Sequence, residues 1–303
     1  MEVRLSDEVR RARATEAPVV VLESSVLAQG LPHPVNLEAA RACEEAVREA
    51  GAIPAVIAVV DGVVRCGLST DEVRRLASGP EPRWKIGVGE LASAVLQRAT
   101  GGTTVSATCA VAAACGLPMF ATGGIGGVHR GEAGDVSADL AALARYPGMV
   151  VCAGAKSVLD LPRTLEALEA LGVPVLGYGT SEFPAFYADH SGLGLDHRAD
   201  TPELAAEALR AQRGLGLPQA IVLAVPPPID VALDRDEVDR ANLAAEAEAK
   251  RQGVSGKAVT PFLLARLAEL TGGRTLRANV ALLAMNARVA GEIAVAYARL
   301  RSS

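Results

Sequence analysis

Short, unbroken apolar runs alternate with amphipathic stretches along most of the chain. Unbroken runs predict strands buried on both faces, and apolar positions recurring every three to four residues predict the helices that cover them. Buried strands are expected at 18–22, 84–88, 118–121, 149–153, 174–178 and 220–225. Residues 55–60 and 63–67 flank Asp61-Gly62, a strong two-residue hairpin signal, so one antiparallel pair is expected in a mostly parallel sheet. Helical patterns fall at 35–50, 71–77, 91–99, 106–114, 137–146, 165–171 and 202–213. In the first, Val35, Ala39, Cys43, Ala46 and Val47 share one stripe and Gly51 supplies the stop. After Pro226-Pro227-Pro228 the pattern is wholly helical, at 236–252, 261–270 and 279–300. This alternation specifies an α/β fold, a three-layer α/β/α arrangement with a central mixed, mostly parallel sheet. No linker-like break or internal repeat interrupts it, so residues 1–303 are expected to form a single domain.

Composition narrows the function classes. Half of the 303 residues are apolar and the net charge is only -5, which excludes disorder. A negative net charge and 3% aromatics leave neither a basic footprint nor stacking platforms for nucleic acid. No unbroken apolar stretch reaches the ~18 residues of a membrane span. Charged Glu2 and Arg4 stand where a signal peptide would be apolar, so a cytoplasmic protein with no membrane partner is expected. The five cysteines are odd in number, scattered and without a CxxC pair, and read as reduced core thiols.

Basic residues are 26 arginines against four lysines: Lys85, Lys156, Lys250 and Lys257. Lysine, unlike arginine, can lose its proton when desolvated, so each lysine in so arginine-rich a chain is a candidate for chemistry. Lys156 lies just past the strand at 149–153, where α/β sheets place ligands. Its apolar flanks favour the neutral amine, the form that makes Schiff bases with carbonyls. Glu23 ends the first strand and is a candidate general acid, or else a salt-bridged structural carboxylate. Thr122-Gly123-Gly124-Ile125-Gly126-Gly127-Val128-His129-Arg130-Gly131 packs four glycines into five positions. Its N–H groups could cradle a phosphate, with His129 and Arg130 as further donors; a tightly turning loop is the alternative. Asp135-Val136-Ser137-Ala138-Asp139 enters a helix, where Asp and Ser are also ordinary caps. Beside the glycine segment these carboxylates suit a hard divalent metal or sugar hydroxyls. His33, His190 and His197 show no ligand spacing.

At these residues the chain resembles the pseudouridine-5'-phosphate glycosidases, or pseudouridylate synthases, relatives of the indigoidine-synthase A component. The resemblance runs from about Val19 to Tyr297. It rests on Leu22-Glu23-Ser24-Ser25 with Gly30-Leu31-Pro32, on the glycine segment, and on Asp135 to Asp139. Cys152-Ala153-Gly154-Ala155-Lys156-Ser157, the segment Thr260 to Ala265 and Leu270-Thr271-Gly272-Gly273 complete it. It implies reversible cleavage of the carbon–carbon glycosidic bond of pseudouridine 5'-phosphate to uracil and ribose 5-phosphate, in pseudouridine catabolism. By matching motif, Lys156 would be the Schiff-base nucleophile and Glu23 the proton donor. Asp135 would hold a manganese ion. Lys85, Val105, Ser137, Ala138 and Asp139 would contact substrate, and His129 and Asn279 would line the pocket. A homotrimer is implied as well. Two rivals are a different Schiff-base enzyme acting on sugar phosphates and a non-catalytic phosphosugar-binding protein.

Overall fold

The computed structural model describes residues 3–80, 82–130, 134–254, 256 and 259–302. Gly131 of the glycine segment and Lys257 lie outside the described residues. The chain opens with β1 (Arg4–Leu5) and α1 (Asp7–Ala14), whose cap Ser6 accepts from the Val9 amide. β2 (Val19–Leu22) is followed by a π-helical turn at Val26–Gly30 and by α2 (Val35–Glu49). β3 (Ile53–Val60) and β4 (Val63–Cys66) form the expected antiparallel hairpin, with Asp61 (φ 49°) and Gly62 (φ 75°) both left-handed. That is the two-residue turn whose twist matches the flanking strands. α3 (Thr70–Ser78) starts from a Ser69–Glu72 capping box. Next come β5 (Trp84–Ile86), α4 (Leu91–Leu96), β6 (Gly101–Thr103) and α5 (Val105–Ala114).

β7 (Met119–Ala121), α6 (Ala138–Arg145), β8 (Gly148–Cys152) and α7 (Leu161–Ala170) form the middle of the chain. β9 (Val175–Tyr178), β10 (His197–Ala199), α8 (Pro202–Gly214) and β11 (Ala220–Ala224) complete the sheet. The helices α9 (Arg235–Arg251), α10 (Val259–Leu270) and α11 (Arg274–Ser302) close the fold. The strand order is β1-β4-β3-β2-β7-β8-β11-β9-β10, with β6 against β3 and β5 against β6. From β3 through to β10 every neighbouring pair is parallel; among the strands of the described residues, β3–β4 and β3–β6 are the antiparallel pairs. The central strands β2, β7, β8 and β11 are buried throughout, which their all-apolar sequences require.

Helices cover both faces. α11 packs on α2, α8 and the strands β2, β7 and β8, while α5, α6 and α7 form a second group reaching β2, β3 and β11. By length and composition α11 is apolar enough to cross a membrane, which its scattered arginines hide from a search for unbroken apolar runs. Most of its apolar stretch is buried inside this fold instead. All five cysteines are buried and unpaired in disulfides.

Candidate active site

β2, β7 and β8 lie side by side and parallel, so the residues that follow them emerge at one edge of the sheet. Those residues are Glu23 after Leu22, Thr122 after Ala121, and the segment running to Lys156 after Cys152. Carboxyl ends of adjacent parallel strands are where open α/β sheets bind ligands. Gly154 (φ 80°) turns the chain there, and a Cβ on it would sit 2.5 Å from the Pro184 carbonyl oxygen. Glu23, Lys85, Lys156 and Asn279 line one cleft. Its other walls come from Gln29 in the π-helical turn, Gly123 and Gly124, Phe186, and Thr260 and Pro261 at the start of α10.

Hydroxyls grip both oxygens of the Glu23 carboxyl. Ser25 Oγ donates to Oε2 and Thr122 Oγ1 to Oε1. Burial raises the Glu23 pKa above the ordinary carboxylate value. The Lys156 charge and the two hydroxyls oppose that rise without cancelling it, and the Asp139 charge adds to it. His129 is half-buried, and burial lowers its pKa. The Asp135 carboxylate opposes that change, while the charges of Lys85 and Lys156 reinforce it. Glu23, Lys85, Lys156, His129, Asp135 and Asp139 therefore share one electrostatic neighbourhood. An acid made easier to protonate stands in the same cleft as an amine, the pairing that nucleophilic catalysis with proton transfer requires.

The glycine segment differs from the expected phosphate cradle. Residues 121–128 are buried, and the segment runs beside the Lys156 loop as an extension of the β7–β8 pairing. Ala153 N–H donates to Gly123 O (2.8 Å), Ile125 N–H to Gly154 O (3.0 Å) and Lys156 N–H to Ile125 O (3.1 Å). Gly126 and Val128 N–H donate to Asp139 Oδ2 and Thr164 Oγ1. The glycines are needed for close packing: a Cβ on Gly124, Gly126 or Gly127 would lie within 2.6 Å of Phe186, Ser137 or Thr164 side-chain atoms. These bonds tie the backbone of the Lys156 loop to the segment, while Gly123 and Gly124 also line the cleft.

Asp139 is likewise a structural anchor. It is buried, its Oδ1 accepts from Ser106 N–H (2.9 Å) at the start of α5, and its Oδ2 takes the Gly126 amide (2.8 Å). Ser137 caps α6, accepting from the Asp139 amide, and Ala138 begins that helix. Val105 opens α5 with its side chain buried. None of these four lines the cleft with Lys156. Asp135 is exposed, and its carbonyl accepts from His129 N–H (2.9 Å). Among the described residues no three of His, Cys, Asp and Glu converge into a metal cage. Both Asp139 oxygens already accept backbone N–H groups while Asp135 is exposed, so Asp135 could offer a cation one carboxylate, with water and substrate oxygens as the other donors. His33, His190 and His197 are exposed.

Phe186 and Tyr187 escaped the sequence reading. Phe186 has a left-handed backbone (φ 65°) and packs edge-on against Tyr187, ring centroids 4.6 Å apart. Tyr187 Oη in turn receives the Asn279 amide at 3.5 Å. Three of the chain's nine aromatic residues, Phe183, Phe186 and Tyr187, fall within five positions, a concentration that could have flagged this loop.

Fold and site together define an α/β protein with a lysine and a partly buried carboxyl at the carboxyl edge of its parallel strands. The chain belongs to the indigoidine synthase A like protein family, whose pattern it matches over residues 8–296. It is 57% identical to a pseudouridine-5'-phosphate glycosidase of Myxococcus xanthus, with 99% of each chain covered. It is 49% identical to one of Symbiobacterium thermophilum, covering 95% of this chain and 96% of the relative. Among solved structures it resembles the prealnumycin C-glycosynthase AlnA in complex with ribulose 5-phosphate, with a TM-score of 0.90 and 37% identity. That match covers 99% of this chain and 98% of AlnA. An indigoidine synthase A-like protein of Thermotoga maritima matches with a TM-score of 0.88 and 36% identity, over 97% of this chain and 95% of its own.

Proposed function

We propose that this protein cleaves the carbon–carbon glycosidic bond of pseudouridine 5'-phosphate, reversibly, to give uracil and ribose 5-phosphate. The observation that carries this reading is the shared cleft of Lys156 and Glu23. A carbon-linked base has no glycosidic oxygen or nitrogen to protonate, so the two-carboxylate route of ordinary glycosidases does not serve. An amine does. Neutral Lys156 attacks C1′, the C1′–O4′ bond breaks, and the proton released from nitrogen goes to the ring oxygen. Glu23 then protonates C5 of the base as the C1′–C5 bond breaks, while the nitrogen lone pair forms the C=N bond of a Schiff base. Water hydrolyses that imine, freeing ribose 5-phosphate and Lys156. The names of the relatives support the substrate, and ribulose 5-phosphate bound to AlnA supports a sugar-phosphate pocket.

Lys85, in the same cleft, supplies positive charge suited to a phosphate, and Asn279 supplies an amide for the base or sugar. Asp135 would hold manganese, which when bound neutralises charge on a phosphate-bearing substrate. The reading also includes a homotrimer, which light scattering would test, and a cytoplasmic role in pseudouridine catabolism. The direct test is uracil release from pseudouridine 5'-phosphate. Turnover is expected for the wild type and none for Lys156→Ala. Binding of the nucleotide without turnover would favour a non-catalytic phosphosugar-binding protein, and activity confined to other sugar phosphates would favour a different Schiff-base enzyme.

A further inference from the structure

Thr122 is itself held from several sides. It is buried, its N–H donates to Val151 O (3.0 Å), and its carbonyl accepts from Asn286 Nδ2 (2.8 Å). The same Asn286 amide reaches Gly123 O at 3.3 Å. Asn286 lies on α11 seven residues after Asn279, so two helical turns place both on one face. It is buried, and its Oδ1 has no partner among the described residues. Leaving a buried polar atom unpaired is unfavourable, and only the NH2 end of the amide can serve two carbonyls. The Asn286 amide thus ties together the two carbonyls of the turn that carries the Thr122 hydroxyl.

We propose that Thr122, anchored by Asn286, and Ser25 are positioning residues that hold the Glu23 carboxyl in one orientation. The proposal deepens the function proposed above and rests on it for the role of Glu23. Each hydroxyl donates to a different carboxyl oxygen, so neither oxygen can swing away without breaking a bond. Donation to the carboxylate favours the ionised form, whereas burial favours the acid. Other groups bear on the same carboxyl. Lys156 beyond β8 pulls the Glu23 pKa down and Asp139 on α6 pushes it up, while Lys85 on β5 lines the same cleft. The thiols of Cys43 on α2 and Cys109 on α5 are driven up by burial, Cys43 to about 12, and carry no charge near neutrality. None of these changes when a hydroxyl is removed.

The test uses Thr122→Val, which keeps the shape without the hydroxyl, Thr122→Ser, which restores it, and Ser25→Ala. The carboxyl band of Glu23 is followed by infrared titration of the full-length protein, identified by subtraction of the Glu23→Gln spectrum. Loss of one hydrogen bond to a charged group should raise the midpoint by about one pH unit. Thr122→Ser should return it near the wild-type value. The alkaline limb of kcat on pseudouridine 5'-phosphate should move up by the same amount in Thr122→Val, with KM nearly unchanged. A midpoint that stays in place in Thr122→Val or Ser25→Ala overturns the proposal, as does an equal shift in Thr122→Ser. Should Thr122→Val not fold, Ser25→Ala at its half-exposed position carries the same measurement. If the wild type released no uracil, the proposed function would fail, while the infrared titration would still decide the clamp.

Discussion

Burying Glu23 raises its pKa, so the fold disfavours its ionised form. Below the ordinary carboxylate range both folded and unfolded chains carry the acid, and burial imposes no electrostatic penalty. As pH rises, the unfolded chain ionises first, and stability is lost until the folded group ionises as well. Glu23→Gln should therefore raise the melting temperature at pH 8, with the gain shrinking toward zero near pH 4. Its kcat should fall roughly 10²–10⁴-fold, the scale of lost proton transfer. Substrate should still bind, and a covalent adduct carrying both sugar and base should accumulate on Lys156. A near-normal rate would make Glu23 structural. Lys156 and Glu23 were legible in the sequence because each follows an apolar run and lysine is scarce. The positions of Thr122, Asn286 and Asp139 were not, since their partners are hydroxyls, carbonyls and amides brought close only by folding.

Among the elements, strands with continuous apolar sequence, the Asp-Gly hairpin and the long helices follow from local pattern. β1, β6 and β10 do not: each has two or three residues and takes its conformation from a neighbouring strand. In β6, Gly101 and Gly102 have no side chains to signal burial, yet a Cβ on Gly102 would lie 2.4 Å from the Ser24 carbonyl oxygen. The glycine segment is the instructive case, because dense glycine predicts close approach without saying of what. Here the approaching groups are the protein's own. Gly126→Ala would place a methyl 2.2 Å from Ser137 Oγ and 2.7 Å from Asp139 Oδ2. Overpacking of this kind should destabilise the protein by about 1–3 kcal/mol and displace the strand that holds Lys156. Chemical denaturation together with the uracil-release rate would check both effects. An Ala variant of wild-type stability would refute the packing role of Gly126.

Over the whole molecule, three parallel neighbours, β2, β7 and β8, deliver an acid, a hydroxyl and an amine to one edge of the sheet. α11 underlies the same three strands, and Asn279 and Asn286 on it reach the cleft and its supporting turn. The order of strands cannot be read from a chain in which β7 is separated from β2 by about a hundred residues of other elements. The proposed cation site at Asp135 is likewise visible only in the assembled molecule, where that exposed carboxylate acts on His129 together with the two lysines. Removing divalent metal with EDTA should suppress uracil release, manganese should restore it, and Asp135→Ala should lose that response. Full activity after stripping would remove Asp135 from the role of ligand.

The central claim is that Lys156 bonds covalently to the sugar. Borohydride added during turnover of pseudouridine 5'-phosphate reduces a Schiff base to a stable amine, and peptide mass spectrometry locates it. One ribose 5-phosphate adduct is expected, on the peptide containing Lys156 and absent from Lys156→Ala. An adduct on Lys85, Lys250 or Lys257, or uracil release with no adduct at all, would contradict it.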